Sequence, residues 1–299
     1  MIKILLYLLG LITISPTAKA ELNVYESIDV SATYFVEFWR NDSFLNKTRT
    51  PQIIRFASGD ENTIWGGCGY EDENGEWIEY IQHFGSNYCS VTDTISLMSD
   101  EIEELYFDHG DAAPFYLVAH ELAHALQARL GFTNKNMPVP KFELQADCFA
   151  GMFSREVVRD GNKLSINLED IEEMSNAAWS GGDKPYFVSH GTPEQRRYAF
   201  RTGFYEGTCQ PGDVEQIIAL NPKQIRNSAY GSSISLLKNY KKSPYQKTFS
   251  DLTPMVGIQP PKRLPKKSLS KEFSFIHDLL ENWKSFKMKL KEVNRIISN

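Results

Sequence analysis

Cysteine is scarce in this sequence. There are four in 299 residues, and no two stand in a CxxC pair. That spacing sets aside a cysteine zinc knuckle and a thioredoxin-like redox motif. Cys68, Cys89, Cys148 and Cys209 are even in number, which favours disulfides over free thiols, but three pairings are possible and spacing alone leaves them open. Long apolar runs are equally few. One, from Ile4 to Ile14, follows Lys3 and is succeeded by the small-residue pattern Ala18-Lys19-Ala20. At about half the ~20 residues that span a bilayer, it reads as a secretory signal over residues 1–20, with an uncleaved membrane anchor as the alternative. No other stretch is long and apolar enough to cross a membrane, and no internal repeat is visible. The expected mature chain starts at Glu21 and works in the periplasm or as a secreted protein.

Charge is unevenly placed. The formal total is −6, yet the residues after Glu215 hold 16 Lys and Arg against 5 Asp and Glu, or +11, which leaves −17 for the rest. Three readings stay open for this basic stretch: a solvated linker and helix, contact with an anionic envelope surface, or docking onto the acidic body. Nucleic acid is not an expected partner. The domain boundaries that follow are a signal at 1–20, a main domain at 21–212 and a basic linker with a C-terminal helical extension at 213–299.

Along the main domain, residues 24–39 read as an amphipathic helix. "PQIIRFAS" (Pro51 to Ser58) and "TDTISLM" read as strands, with an Asn74-Gly75 hairpin turn between them. Next comes "YLVAHELAHALQARLG", a helix that Asp111 can cap, with Pro114 in its first turn and Gly131 at its end. Ala119, Leu122, Leu126 and Leu130 form its apolar stripe. Further helices are expected over residues 142–158, over "LEDIEEMSNAAW", and after Thr192, where Thr192 and Gln195 form a capping box. The final amphipathic segment runs from Phe273 to Ile297.

His120 and His124 are four residues apart on the central helix, so both imidazoles face one point, with Glu121 between them. HExxH on a helix is a zinc arrangement. Two neutral rings fill two positions of a tetrahedral ion and the glutamate reaches the water on another side. A third ligand comes from "FELQADCFAG", in which Glu143 and Asp147 share one helical face. Glu143 can complete a His2Glu set, and Asp147 can accept the N–H of a ligand histidine and fix its tautomer. Ala146, Ala150 and Gly151 are small, as close helix packing would require. One Zn2+ per chain held by three protein groups leaves a position for water, whose proton Glu121 can take; this is the chemistry of amide hydrolysis.

The stretches "SNYCSVTDTISL", "YLVAHELAHALQ", "ELQADCFAGMF" and "SHGTPEQRRYAFRTGFYEG" resemble the neutral zinc metallopeptidase family of bacterial envelope proteins, in its order and spacing, over about residues 65–209. The resemblance implies a zincin-like α+β fold, mostly helical, with the active-site helix packed against a small β-sheet. It carries over His120, His124 and Glu143 as ligands and Glu121 as general base. It also points to His190 and Arg196 as stabilisers of the oxyanion, against the plainer readings of a helix cap and an ion pair. It favours the disulfides Cys68–Cys89 and Cys148–Cys209. His83, His109 and His277 read as surface or packing residues. The sequence departs from the family at Ala123, where glycine is usual, and at residues 70–86, which look like an insertion.

The expected function is therefore a zinc peptidase acting on a peptide or protein, with "TDTISLM" as the strand beside which an extended substrate lies. A catalytically silent zinc-bearing envelope scaffold is the alternative, and a hydrolase of a non-protein amide a third.

Overall fold

Local signals start most of the helices where the sequence places them. In this computed structural model residues 23–56, 68–71, 74, 77–80, 85–133, 136–159, 164, 166–183, 190–234 and 236 are described. The expected signal, the linker and final helix beyond residue 236, part of the 70–86 insertion, His83 and His277 lie outside them. Helix α1, Val24–Asn41, opens on a reciprocal cap. The Asn23 side chain accepts from the Tyr25 and Glu26 amides, while Glu26 accepts from the Asn23 amide. After a 3-10 turn at Leu45–Lys47 come strands β1 (Gln52–Phe56), β2 (Cys68–Glu71), β3 (Trp77–Tyr80), β4 (Asn87–Cys89) and β5 (Thr94–Met98). Seven helices follow: α2 (Ser99–His109), α3 (Ala113–Leu130), α4 (Val139–Arg159), α5 (Leu168–Ser180), α6 (Pro193–Tyr205), α7 (Pro211–Ala219) and α8 (Pro222–Asn227).

Two helix starts differ from expectation. Asp111 does not cap α3; the residue before it is Ala112, with no side-chain cap of its own. The Ala112 amide donates instead to Glu173 of α5 at 3.0 Å, and the Asp111 carbonyl accepts the Ser27 hydroxyl. A tertiary carboxylate has replaced the local one. Helix α4 begins at Val139, three residues earlier than expected. Pro140 is tolerated there because first-turn N–H groups have no partner inside a helix. The Thr192–Gln195 box at α6 forms as read.

The strands make a three-stranded sheet in the order β1-β5-β4, with β1 parallel and β4 antiparallel to β5, and a separate antiparallel hairpin β2-β3 with Asn74 in its turn. The "TDTISLM" segment was expected to lie open to a substrate. It is instead the central strand, paired on both sides, and Thr94 to Leu97 are all buried. Burial on both faces removes the alternation that marks an exposed sheet surface. Among the described residues β4 holds the edge next to it.

Helix α3 is wrapped rather than half-buried. It packs against α1, α2, α4, α5, β4 and β5, and 15 of its 18 residues are buried. The stripe seen in the sequence is thus only part of its contact surface. Phe115 of α3 meets Phe35 of α1 with ring centroids 4.5 Å apart, and Phe35 meets Phe153 of α4. Helices α4 and α6 approach backbone to backbone. A Cβ added to Gly151 would stand 2.0 Å from the Phe200 carbonyl oxygen, and one added to Gly203 1.8 Å from that of Cys148. Small residues at this crossing let α4 settle deeply beside α3. The Cys148–Cys209 disulfide then ties α4 to the chain leaving α6. Cys89 is also disulfide-bonded, while the side chain of its expected partner Cys68 lies outside the described residues. Helices α7 and α8, which follow residue 210, pack on this body through α4 and α6. Buried Arg201 holds the chain beyond α8 by donating to the carbonyls of Ala229, Tyr230 and Ser232. No helix among the described residues is long and apolar enough to cross a membrane. The architecture is α+β and mostly helical.

Candidate metal centre

The wrapped helix α3 brings His120 and His124 to its contact with α4, which contributes Glu143 and Asp147. His120 Nε2 and His124 Nε2 stand 3.2 Å apart, and Glu143 Oε2 lies 3.3 Å from the first and 3.5 Å from the second. A tetrahedral ion with bonds of about 2.0–2.1 Å separates neighbouring ligand atoms by about 3.3–3.4 Å. The three sequence-predicted ligands therefore have the mutual spacing of a metal triad, and they form one of the groups capable of holding an ion.

Proton placement tells the same story. His120 Nδ1 lies 2.9 Å from Asp147 Oδ1, and His124 Nδ1 lies 2.8 Å from Gln127 Oε1. Both acceptors commit a proton to Nδ1, so in the neutral rings both Nε2 atoms turn lone pairs toward each other and toward a carboxylate. Such an arrangement calls for positive charge in its midst. Burial works against a charge on His120, but the hydrogen bonds with Asp147 and Glu143 outweigh it and hold its pKa above the usual histidine value. Burial likewise works against a charged Glu143, yet the neighbouring His124 and His120 hold its carboxyl well below the usual range.

Behind His120 lies a buried ionic network. Asp147 Oδ1 accepts from His120, from the Tyr116 hydroxyl at 2.6 Å and from Arg196 Nη2 at 2.9 Å, while Oδ2 accepts from Arg196 Nε at 2.8 Å. Arg196 Nη1 donates to the Gly181 carbonyl. Despite burial, which raises it, the Asp147 pKa is lowered by the Arg196 charge. Asp147 thus lies against the Nδ1 side of the His120 imidazole. Arg196 does not fit the oxyanion role. Its guanidinium sits on the Nδ1 side of His120, away from the ligand atoms, and it is engaged as an ion-pair partner. Tyr116, absent from the sequence reading, belongs to this network. Its i, i+4 relation to His120 was the available signal.

Glu121 is buried, and its Oε2 has no hydrogen-bond partner in the protein. Burial pushes its carboxyl up to about 8; the charge of His124 lowers it, and those of Glu101 and Glu143 raise it. It lines a cavity of about 340 Å³ together with His124 and Glu143, with Ser86, Asn87 and Tyr88 at strand β4, with Ala128, Phe132 and Phe142, and with His190. His190 is half exposed and faces this space, with Nδ1 3.2 Å from Asp183 Oδ1. The structure therefore gathers Glu121 and His190 at the cavity and sets Arg196 apart. His109 ends α2 and does not line it. The strand at the cavity is β4, in place of the expected β5.

Comparison with known proteins agrees with this geometry. Residues 82–214 match the family described as "Putative neutral zinc metallopeptidase". The uncharacterized protein YpfJ of Escherichia coli (strain K12) is 31% identical over 150 residues, covering 41% of this chain and 51% of that protein. Uncharacterized proteins of Mycobacterium bovis and of Mycobacterium tuberculosis (strain CDC 1551 / Oshkosh) are each 28% identical over 153 residues, covering 41% of this chain and 52% of theirs. The chain spans about half the length of the curated relatives it matches. No solved structure matches it.

Proposed function

We propose that this chain, whose residues 82–214 form a domain of that zinc metallopeptidase family, hydrolyses peptide bonds with the aid of one Zn2+ held by His120, His124 and Glu143. The observation that carries the proposal is the convergence of three lone-pair donors at 3.2–3.5 Å, with an unpartnered buried carboxylate beside them at an open cavity. Zinc bound there supplies a Lewis acid that acidifies a water and polarises a carbonyl. Glu121 Oε2 takes the proton of the attacking water and delivers it to the amide nitrogen as the new C–O bond forms and the C–N bond breaks. His190, which lines the same cavity, would donate to the carbonyl oxygen as charge develops on it. An extended peptide would lie in the cavity alongside β4, whose Asn87 and Tyr88 line it. The buried Cys148–Cys209 bridge supports an oxidising location, periplasmic or secreted. The basic C-terminal stretch would then meet an anionic envelope surface.

The deciding experiment compares zinc content and casein cleavage in the full chain and in Glu121→Gln. Both should bind about one zinc per chain, and the variant should lose cleavage by about 10²–10⁴-fold or more. Zinc binding without cleavage by either would favour the silent scaffold or a non-peptide amide, which wall fragments would distinguish. Failure of both to bind zinc would overturn the metal centre itself.

A further inference from the structure

Two backbone carbonyls fix the direction of a hydrogen-bond relay that ends at His124. A carbonyl only accepts, so the Cys209 carbonyl, 2.9 Å from Gln145 Nε2, orients the Gln145 amide with its oxygen pointing the other way. That oxygen accepts from Gln127 Nε2 at 3.0 Å. The Phe142 carbonyl accepts from the same nitrogen at 2.7 Å, so Gln127 is oriented twice over. Its Oε1 is left facing His124 Nδ1 at 2.8 Å. Both glutamines are fully buried, which keeps water from taking over any of these bonds. Phe142 also stacks its ring on the imidazole, with centroids 4.9 Å apart and planes 21° apart.

We propose that Gln127, oriented by Gln145 and the Phe142 carbonyl, is the positioning residue of His124: it holds the ring's proton on Nδ1 and aims the Nε2 lone pair at the metal. The inference rests on the reading of His124 as a zinc ligand. Without the acceptor, the neutral ring is free to carry its hydrogen on Nε2, between the two other ligand atoms, and zinc must displace it. A neutral amide also does this without adding a negative charge beside a carboxylate ligand. Residues that hold a ligand imidazole in this way typically change metal affinity by about 10–100-fold when removed.

The test uses the full chain and two readouts. Nitrogen-15 NMR of the zinc-free protein at alkaline pH reports the tautomer of His124, and competition with a chelator reports zinc affinity. The parent should show Nδ1 protonated; an Nε2-protonated His124 would overturn the proposal without any variant being needed. Gln127→Met should shift the proton toward Nε2 and weaken zinc binding by about 10–100-fold. A folded Gln127→Met that binds zinc as the parent does and keeps the Nδ1 proton would sink the idea. A parent that binds no zinc but shows the Nδ1 tautomer would instead sink the metal reading, so the two failures are told apart.

Discussion

His120 and His124 stand one helical turn apart and face the same point, yet opposite chemistry supports them. His120 leans on charge. Asp147 is fully buried, and its two oxygens collect bonds from His120, Tyr116 and Arg196. His124 leans on two neutral amides, Gln127 and Gln145, that end on the Cys209 carbonyl. An ionic support is rigid, but each half depends on the other, because a lone charge in a dry interior has no substitute for its partner. A neutral relay loses only a hydrogen bond or two when cut. One helix thus presents two candidate ligands whose failure modes differ.

The largest effect should come from breaking the ionic side alone. Asp147→Asn keeps the volume but leaves the Arg196 guanidinium without its counter-charge. Unfolding in denaturant should show a loss of about 3–5 kcal/mol, with zinc affinity down about 10–100-fold. Replacing both partners, Asp147→Leu with Arg196→Met, should regain more than half of the stability but none of the zinc affinity, since His120 still lacks its acceptor. If the double variant is as unstable as the sum of the singles, the pair is not the coupled unit described here. On the neutral side, Gln145→Met should cost about 1–2 kcal/mol from the unmet Cys209 carbonyl and Gln127 N–H. Gln127 keeps the Phe142 carbonyl, so zinc affinity should fall only about threefold by chelator competition, well short of the ionic side.

The candidate ligands were legible because His120 and His124 sit four residues apart on one helix, as do Glu143 and its neighbour Asp147 on another, and capping boxes and prolines marked several helix starts. The supports were less so. Gln127 reads as a polar residue near the end of an amphipathic helix. Its burial and partners come from Phe142 and Gln145, 15 and 18 residues away, and only its i+3 relation to His124 hinted at a role. Arg196 follows His190 by six residues, and that spacing cannot say on which side of an imidazole the guanidinium will lie; the burial of Asp147 decides it. Strand order was hidden for a similar reason. "TDTISLM" announces a strand, but only the pairing of β1 on one side and β4 on the other makes it central and hands the cavity edge to β4.

The smallest effect on the site should come from the bridge beneath the neutral relay. Cys148→Ala with Cys209→Ala opens a link between residues 61 apart in sequence, and such links typically contribute about 2–4 kcal/mol through the unfolded chain. Global unfolding should register that loss. Zinc affinity should change by less than about twofold. The group that holds Gln145 is the Cys209 backbone carbonyl, not its sulfur, and that stretch is also fixed by the start of α7, where the Gln210 amide donates to Asp213 at 2.9 Å. A tenfold loss of zinc affinity would mean that the relay hangs on the sulfur bridge itself. The support of His124 would then follow the redox state of its surroundings, while the ionic support of His120 would not.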